Sequence, residues 1–598
     1  KNALLIRRMH VRFNGNELNL YFERFLSAGV KNLSAQKLCI ASEVPCKIDI
    51  VGGIDAGVRT NGFNHFTQVK ILTKDFPCLE IESNKGEICH ICSKLVGKAG
   101  LLSSFEDTVY TGEKLHFENS NAVSVYKFAA ISSSRDDFDC FATLQDALKA
   151  GYDRLKMEHC VLWQKAWESA DIEIKGDERS QFAVRVAIYH LMRNRSDDPR
   201  VSVCAKGYAG DAYFGRCFWD SEIFLLPFYI NNFPDTAKNI LLFRYNTLDG
   251  ARQNANNYGY PGARYPWESS VSGVENCAVW QYADNEVHIT ADVCYAIRNY
   301  VERTGDMEFL EKYGLEILLE TSKYWIERVS YSKDEVHLKG VMGPDEYLHF
   351  VEDDAYTNYL VSKQLLYCLE VLEQFNKEGK NVNYFWEKTG VTQEILKKIR
   401  YVGENLNYLR KGKLILQCKD FEDLDDIDFD EVWKDRTKFF GQVVSQEKNY
   451  RSKALKQADV LELFKLFPQD FDEETMRICF DYYQPLTTHD SSLSVSAYST
   501  VASWLGRMET AKEFFDRALD IDIGYGAKEG IHIANCAGIW QAVVFGFCGL
   551  KTQKGQIKAR ARLPEGWESV CFRTICRGKE YKVFVSEKGE KISEIKKK

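Results

Sequence analysis

The sequence predicts a multidomain α+β protein, and three observations carry that prediction. Residues up to about 135 alternate apolar and polar side chains between Asn-Gly turns, residues from about 140 to 550 carry helical spacing, and the tail from Lys551 returns to alternation. Alternation puts every second side chain on one face of a strand, whereas recurrence at three and four residues makes one face of a helix. At 598 residues, 45% of them hydrophobic, the chain also exceeds the roughly 250 to 300 residues at which a single core stops growing.

The strand text begins with His10-Val11-Arg12-Phe13 and Leu18-Asn19-Leu20-Tyr21-Phe22, joined by Asn14-Gly15-Asn16. Asn and Gly tolerate the positive φ angles of a tight hairpin turn, so a β-hairpin is predicted there. Lys47 to Gly53 continues the pattern, and residues 1–135 read as a β-sandwich. Leu144 to Lys165 recurs with helical spacing, so 136–170 read as a helical linker. Asp177 to Asn194 opens residues 171–550, with Phe182, Val186 and Tyr189 at helical spacing and Asp177 placed as a cap.

Helical text follows at Glu286 to Arg303, ended by Gly305, then at Phe309 to Tyr331, Ala355 to Phe375, Glu394 to Arg410, Asp472 to Tyr483, Glu509 to Asp520 and Gly530 to Phe547. Helix pairs joined by aromatic and Gly-rich loops predict a helical barrel or solenoid whose binding face is built from the loops at one end. Residues 551–598, where Glu580 to Val585 alternates, read as a small C-terminal β unit.

Charge and composition exclude several function classes. With 78 basic against 86 acidic residues the net charge is −8, and no basic tract stands out, so the clustered cations that nucleic acid requires are missing. The apolar run Ile539 to Leu550 is broken by Gln541 and falls short of the roughly 18 residues that span a bilayer, so no membrane partner is expected. Lys1 to Arg8 lacks the apolar core and cleavage site of a secretory signal, and without an initiator Met the sequence reads as starting inside a longer chain. Eighteen scattered cysteines suit reduced thiols in a cytoplasm. Cys89-His90-Ile91-Cys92 has no second pair to complete a zinc site and reads as strand, and the acidic run Asp420 to Glu431 lacks the central Gly and spaced Glu of a calcium loop. No metal is expected.

The chemistry concentrates in loops. Gly343-Pro344-Asp345-Glu346-Tyr347 sets two acids on a turn that Pro344 prevents from becoming helix, and Glu346 is the candidate catalytic acid. Taken alone, an Asp-Glu pair reads as solvated. Lys206 to Glu222, which contains Phe218-Trp219-Asp220, and Gly262 to Ser269, which contains Tyr265-Pro266-Trp267-Glu268, mix aromatics with carboxylates; such surfaces suit a sugar, whose ring faces are apolar and whose hydroxyls need acceptors. Thr488-His489-Asp490-Ser491-Ser492-Leu493-Ser494 precedes helical text, so its N–H groups offer either an anion site or a plain helix cap. Lys456-Gln457 and His532 stand at the openings of two further helices.

Read together, these stretches resemble family 65 of the glycoside hydrolases, the inverting α-glucoside phosphorylases. The matching text is Ala205-Lys206-Gly207 through Phe218-Trp219-Asp220-Ser221-Glu222, Gly343 to Tyr347 with Ala355-Tyr356-Thr357-Asn358-Tyr359, Lys456-Gln457-Ala458-Asp459-Val460, His489 to Ser494, and Gly530-Ile531-His532 with Gly538-Ile539-Trp540-Gln541-Ala542, all in the family's order. The resemblance implies a β-sandwich shortened at its front, a helical linker, an (α/α)6 barrel and a C-terminal β unit. It implies Glu346 as general acid, Trp219 and Asp220 at the glucose subsite with Gln457 beside the sugar, and Lys456, Ser491, Ser492 and His532 around phosphate. No cofactor is implied, because inorganic phosphate is the co-substrate; the partners are a small carbohydrate and phosphate, and the family tends to form homodimers.

The residues agree with that chemistry. An inverting hydrolase needs a second carboxylate to activate water, whereas phosphate is already an anionic nucleophile that cations and N–H donors only have to position. Glu346 would have to carry a proton near neutral pH, which burial beside aromatics favours. Tyr265 to Ser269, followed by His288-Ile289-Thr290-Ala291-Asp292, is most similar to kojibiose-type members, in which Trp267, Glu268 and Thr290 would face the acceptor glucose. The alternatives are phosphorolysis of trehalose, maltose or nigerose, an α-glucoside hydrolase, and a non-catalytic sugar-binding relative. Two departures lie beside the site: Arg216 stands where the family usually has His, and Leu348 to Asp354 replaces a His-rich stretch.

Overall fold

The computed structural model describes residues 1–596 apart from 60–61, 73–74, 99, 208–209, 211, 279, 281, 334, 458, 524–529 and 554. Asp211 and Ala458, which stand within two of the motifs above, therefore lie outside the described residues. Residues 1–168 and 169–598 are two compact units.

The first unit is built on an antiparallel sheet of β1 (Leu5–Phe13), β2 (Asn16–Leu26), β3 (Leu33–Asp55), β4 (Phe66–Ile71), β5 (Cys78–Ser83), β6 (Ile88–Gly97), β7 (Leu101–Asp107) and β8 (Tyr110–Ser133). The order is β1-β2-β3-β8-β6-β5-β4, with β7 also on β8. Asn14 and Gly15 turn β1 into β2 at φ 50° and 79°, the positive pair that an Asn-Gly hairpin requires. β3 and β8 run together for most of their length with a register shift around Cys46, so the two strands bend and serve two cores. Phe25, Leu33, Ala35 and Phe128 pack on the helix Cys140–Ala150, while Ile48, Leu95, Leu115 and Phe117 form a separate cluster. Cys89 and Cys92 lie in β6 and all eighteen cysteines are free thiols.

The second unit is helical, with strands at its C-terminal end. Asp177 caps the helix Glu178–Arg193 by accepting from Ser180 N at 3.0 Å, Asp354 caps Ala355–Lys377 through Thr357 N at 2.7 Å, and Asp472 caps Glu473–Tyr483 through Thr475 N at 2.8 Å. Gly305, at φ 76°, closes Ile289–Thr304 as a left-handed cap. Two expected helices are shorter than read. Phe309 to Tyr331 stops at Arg328, where Val329 turns extended and Ser330–Ser332 pairs as a strand, and Glu394 to Arg410 stops at Asn405 before the Arg410–Lys411 strand. Ser569–Cys576, Lys579–Ser586 and Gly589–Glu594 form the C-terminal sheet, and Ile172–Lys175 adds its fourth strand. The architecture is mixed α+β, with strands first, helices in the middle and strands at the end. Among the described residues, no helix is long and apolar enough to cross a membrane.

Candidate active site

Gly343 to Tyr347 leaves the short strand Lys339–Val341 and is fastened from behind. A side chain at Gly343 would collide with the carboxylates of Asp354 and Asp459, so the close approach admits only glycine. The next carbonyl, of Pro344, accepts from the Gln457 amide. Asp345 is fully buried, and its carboxylate accepts from Lys456 N at 2.7 Å and Gln417 Nε2 at 2.9 Å. Burial nonetheless pushes its carboxyl up to about 7. Asp345 thus braces the loop, and the turn presents Glu346 on the other side.

Glu346 meets Lys456. The lysine Nζ donates to Glu346 Oε2 at 2.8 Å, and both side chains keep about a quarter of their surface exposed (25% and 24%). Burial works against the charge of Lys456, but the Glu346 carboxylate outweighs it, together with Tyr282 and Glu286, and holds the lysine above its ordinary value. Glu346 is therefore only partly buried, beside a cation. The deep burial expected for it from the sequence falls on its neighbour Asp345.

The other motifs converge through hydrogen bonds. Ser492 Oγ bonds His532 Nδ1, and His532 Nε2 lies 3.0 Å from Asp220 Oδ1, so one imidazole joins the Ser-Ser loop to the Trp-Asp motif. Ser491 Oγ accepts from Leu493 N at 3.2 Å just ahead of the helix Ser494–Trp504, and Tyr347 Oη donates to Asp490. The acid loop and the Ser-Ser loop are therefore tied to each other. Gln457 is buried, and its Oε1 has no hydrogen-bond partner among the described residues. A buried amide oxygen left unpaired costs free energy until a donor reaches it, and a sugar hydroxyl is such a donor.

Trp219 and Trp267 stand edge-on to one buried imidazole, His288, at 5.1 and 5.5 Å between ring centroids. His288 is held by Asp292 at 2.7 Å and Glu286 at 2.9 Å. Burial disfavours its charge, but Asp292 and Glu286 prevail and raise its pKa to about 10, while burial lifts Glu286 to about 8. Tyr356 Oη donates to Asp292, completing a network that fixes both indoles from behind. Arg244, fully buried, pairs with Glu222 and donates to Ser269 Oγ and the Phe218 carbonyl, which locks the Trp219 and Trp267 loops into one register.

Glu268 forms an ion pair with Arg216, and the Trp267 and Glu268 N–H groups donate to Glu275 at 2.6 and 3.0 Å. Thr290 is fully buried, and its hydroxyl accepts from Tyr265 N at 3.1 Å. Its place is behind the loop, because the backbone N–H it satisfies is itself buried.

Tyr282, Glu286, His288, Asp292 and Arg244 carry no role in the sequence reading, and Asp490, there a candidate helix cap, accepts from Tyr347 Oη and Gly441 N instead. His288 and Asp292 are four apart, a spacing that places them on one helical face, and this was the available signal. Arg244 offered none, because its partners belong to other loops.

Comparisons with other proteins agree with the motifs. The glycosyl hydrolase family 65 central catalytic domain matches residues 185–541, and the family 65 N-terminal domain matches residues 1–166. A kojibiose phosphorylase of Halothermothrix orenii is 33% identical over 95% of this chain and 79% of its own length. A kojibiose phosphorylase of Caldanaerobacter subterraneus subsp. tengcongensis is 36% identical over 81% of this chain and 67% of its own. A solved chain from the human microbiome with a provisional kojibiose phosphorylase assignment superposes over 100% of this chain and 81% of its own, with a TM-score of 0.93 at 24% identity, a likeness of fold.

Proposed function

The chain belongs to glycosyl hydrolase family 65, and on that premise we propose that it is an inverting disaccharide phosphorylase that cleaves a kojibiose-like α-glucoside with inorganic phosphate. The observation that carries this reading is the contact between Glu346 and Lys456, which sets a proton donor beside a phosphate-attracting cation.

In this mechanism Lys456, Ser491, Ser492 and His532 hold phosphate, and Trp219, Asp220 and Gln457 hold the transferred glucose. Trp267 and Glu268 face the departing sugar, with Thr290 supporting them. Phosphate is a stronger partner for Lys456 than one carboxylate, so its arrival draws the ammonium away from Glu346 and leaves that group to carry the proton. A phosphate oxygen then attacks the anomeric carbon from the face opposite the glycosidic oxygen, the glycosidic C–O bond breaks, and Glu346 protonates the leaving oxygen. The products are β-glucose 1-phosphate and glucose.

We assign this chemistry to residues 171–550 and place it in a reducing cytoplasm, where free thiols persist. A hydrolase on this scaffold would need a carboxylate placed to activate water. Asp345 is turned inward onto Lys456 N and Gln417, and Glu286 is bound to His288, which supports the phosphate reading over the hydrolytic one.

The test is incubation with kojibiose, trehalose, maltose and nigerose, each with and without phosphate. Glucose 1-phosphate formed only with phosphate, and fastest from kojibiose, is the expected result. Glucose released at the same rate without phosphate assigns the protein to the hydrolases instead.

A further inference from the structure

Arg216 stands in the Trp-Asp motif but has no part in the proposed mechanism, and the structure gives it a partner. Its guanidinium forms an ion pair with Glu268, with side-chain exposures of 29% and 15%, so the pair is largely shielded from water. Cys217 and Ser269 exchange two backbone hydrogen bonds of 2.9 and 2.8 Å, which holds the two loops that carry the pair in one register. Phe218 packs edge-on to Trp267 at 5.6 Å behind it. On the outer side Arg216 lies over the Phe214 ring at 5.2 Å, and Phe214 is more than half exposed with a positive φ of 53°. The Glu268 N–H is held by Glu275 at 3.0 Å, which fixes the backbone that carries the carboxylate.

We propose that Arg216 is a specificity-determining residue for the departing sugar, an inference that rests on the phosphorylase reading above. A lone Glu268 would offer a hexose only acceptors. Paired with Arg216, it becomes a fixed array of donors and acceptors with no net charge, which fits neighbouring hydroxyls of a neutral sugar that donate and accept in turn. The planar fork matters as well as the charge, so lysine is not an equivalent replacement. A subsite built on such paired groups rejects an acceptor that lacks one hydroxyl, because a partly buried donor or acceptor is then left unpaired.

The experiment runs the reaction in the synthetic direction, from β-glucose 1-phosphate with glucose and singly deoxygenated glucoses as acceptors, for the unmodified protein and for Arg216→Gln and Arg216→Lys. The expected result for Arg216→Gln is an acceptor KM raised about tenfold or more and a flattened preference among the deoxy sugars, with the KM for β-glucose 1-phosphate within about threefold of the unmodified protein. Arg216→Lys recovers only part of the loss. Parallel changes in both KM values, or no change in either, overturn the inference, and unaltered melting temperatures keep misfolding from imitating it. If the unmodified protein joins β-glucose 1-phosphate to no acceptor, the phosphorylase reading fails. The inference is then decided by calorimetric titration with glucose, where about tenfold weaker binding to Arg216→Gln supports it and equal binding overturns it.

Discussion

Replacing Glu346 with Gln lowers phosphorolysis of a disaccharide by about 10² to 10⁴-fold, the range over which a positioned general acid contributes. The amide keeps the size of the side chain and its place on the Gly343 to Tyr347 loop, so the loss reports the proton and not the fold. A substrate whose leaving group needs no proton separates the two roles. With α-glucosyl fluoride and phosphate, Glu346→Gln retains activity within about tenfold of the unmodified enzyme, because fluoride departs unprotonated. If both substrates lose activity equally, Glu346 is a positioning residue and the acid must be sought elsewhere, with Glu286, lifted to about 8 by burial, the first candidate.

Lys456→Met removes the cation that the mechanism assigns to phosphate. We expect kcat/KM for phosphate to fall about 10² to 10³-fold, the usual cost of deleting one preorganised partner of an anion at the transition state. The disaccharide KM should change much less, since the sugar-facing residues other than Gln457 belong to other loops. The contact of 2.8 Å between Lys456 and Glu346 adds a further expectation. The double variant Lys456→Met with Glu346→Gln loses less than the product of the two single losses, because groups in direct contact do not contribute independently. Losses that multiply cleanly would show that the two residues act apart, contrary to the proposed hand-over of Lys456 from Glu346 to phosphate.

Much of the framework was legible in the sequence because it is local. Asn14-Gly15 makes its own hairpin, Asp177 caps the helix it precedes, and Gly305 ends the helix it follows. The helices ending at residues 328 and 405 stop a few residues short of their helical text, because that text runs on into short local hairpins, Ser330–Ser332 with Glu335–His337 and Arg410–Lys411 with Leu414–Ile415. The site was legible only as separate motifs. Glu346 and Lys456 are 110 residues apart, His532 lies 40 from Ser492 and 312 from Asp220, and Arg216 lies 52 from Glu268. No periodicity connects such pairs, and only the packed helices bring them together. For the same reason the neighbours Asp345 and Glu346 could not be told apart by burial. One turn points the first into the core, against Gln417 and Lys456 N, and the second toward Lys456 Nζ. Thr290 shows the reverse case, a polar residue in motif text that the helix start turns inward onto the Tyr265 backbone.

The central claim is that phosphate, held at the Lys456 and His532 end of the site, attacks the sugar directly while Glu346 protonates the departing oxygen. The most direct test is the anomeric configuration of the glucose 1-phosphate first released from an α-linked disaccharide, read by proton NMR before any mutarotation of the free glucose complicates the spectrum. The account predicts β-glucose 1-phosphate alone. Release of α-glucose 1-phosphate would contradict it, because retention requires two displacements and a second group at the anomeric carbon that this mechanism does not contain.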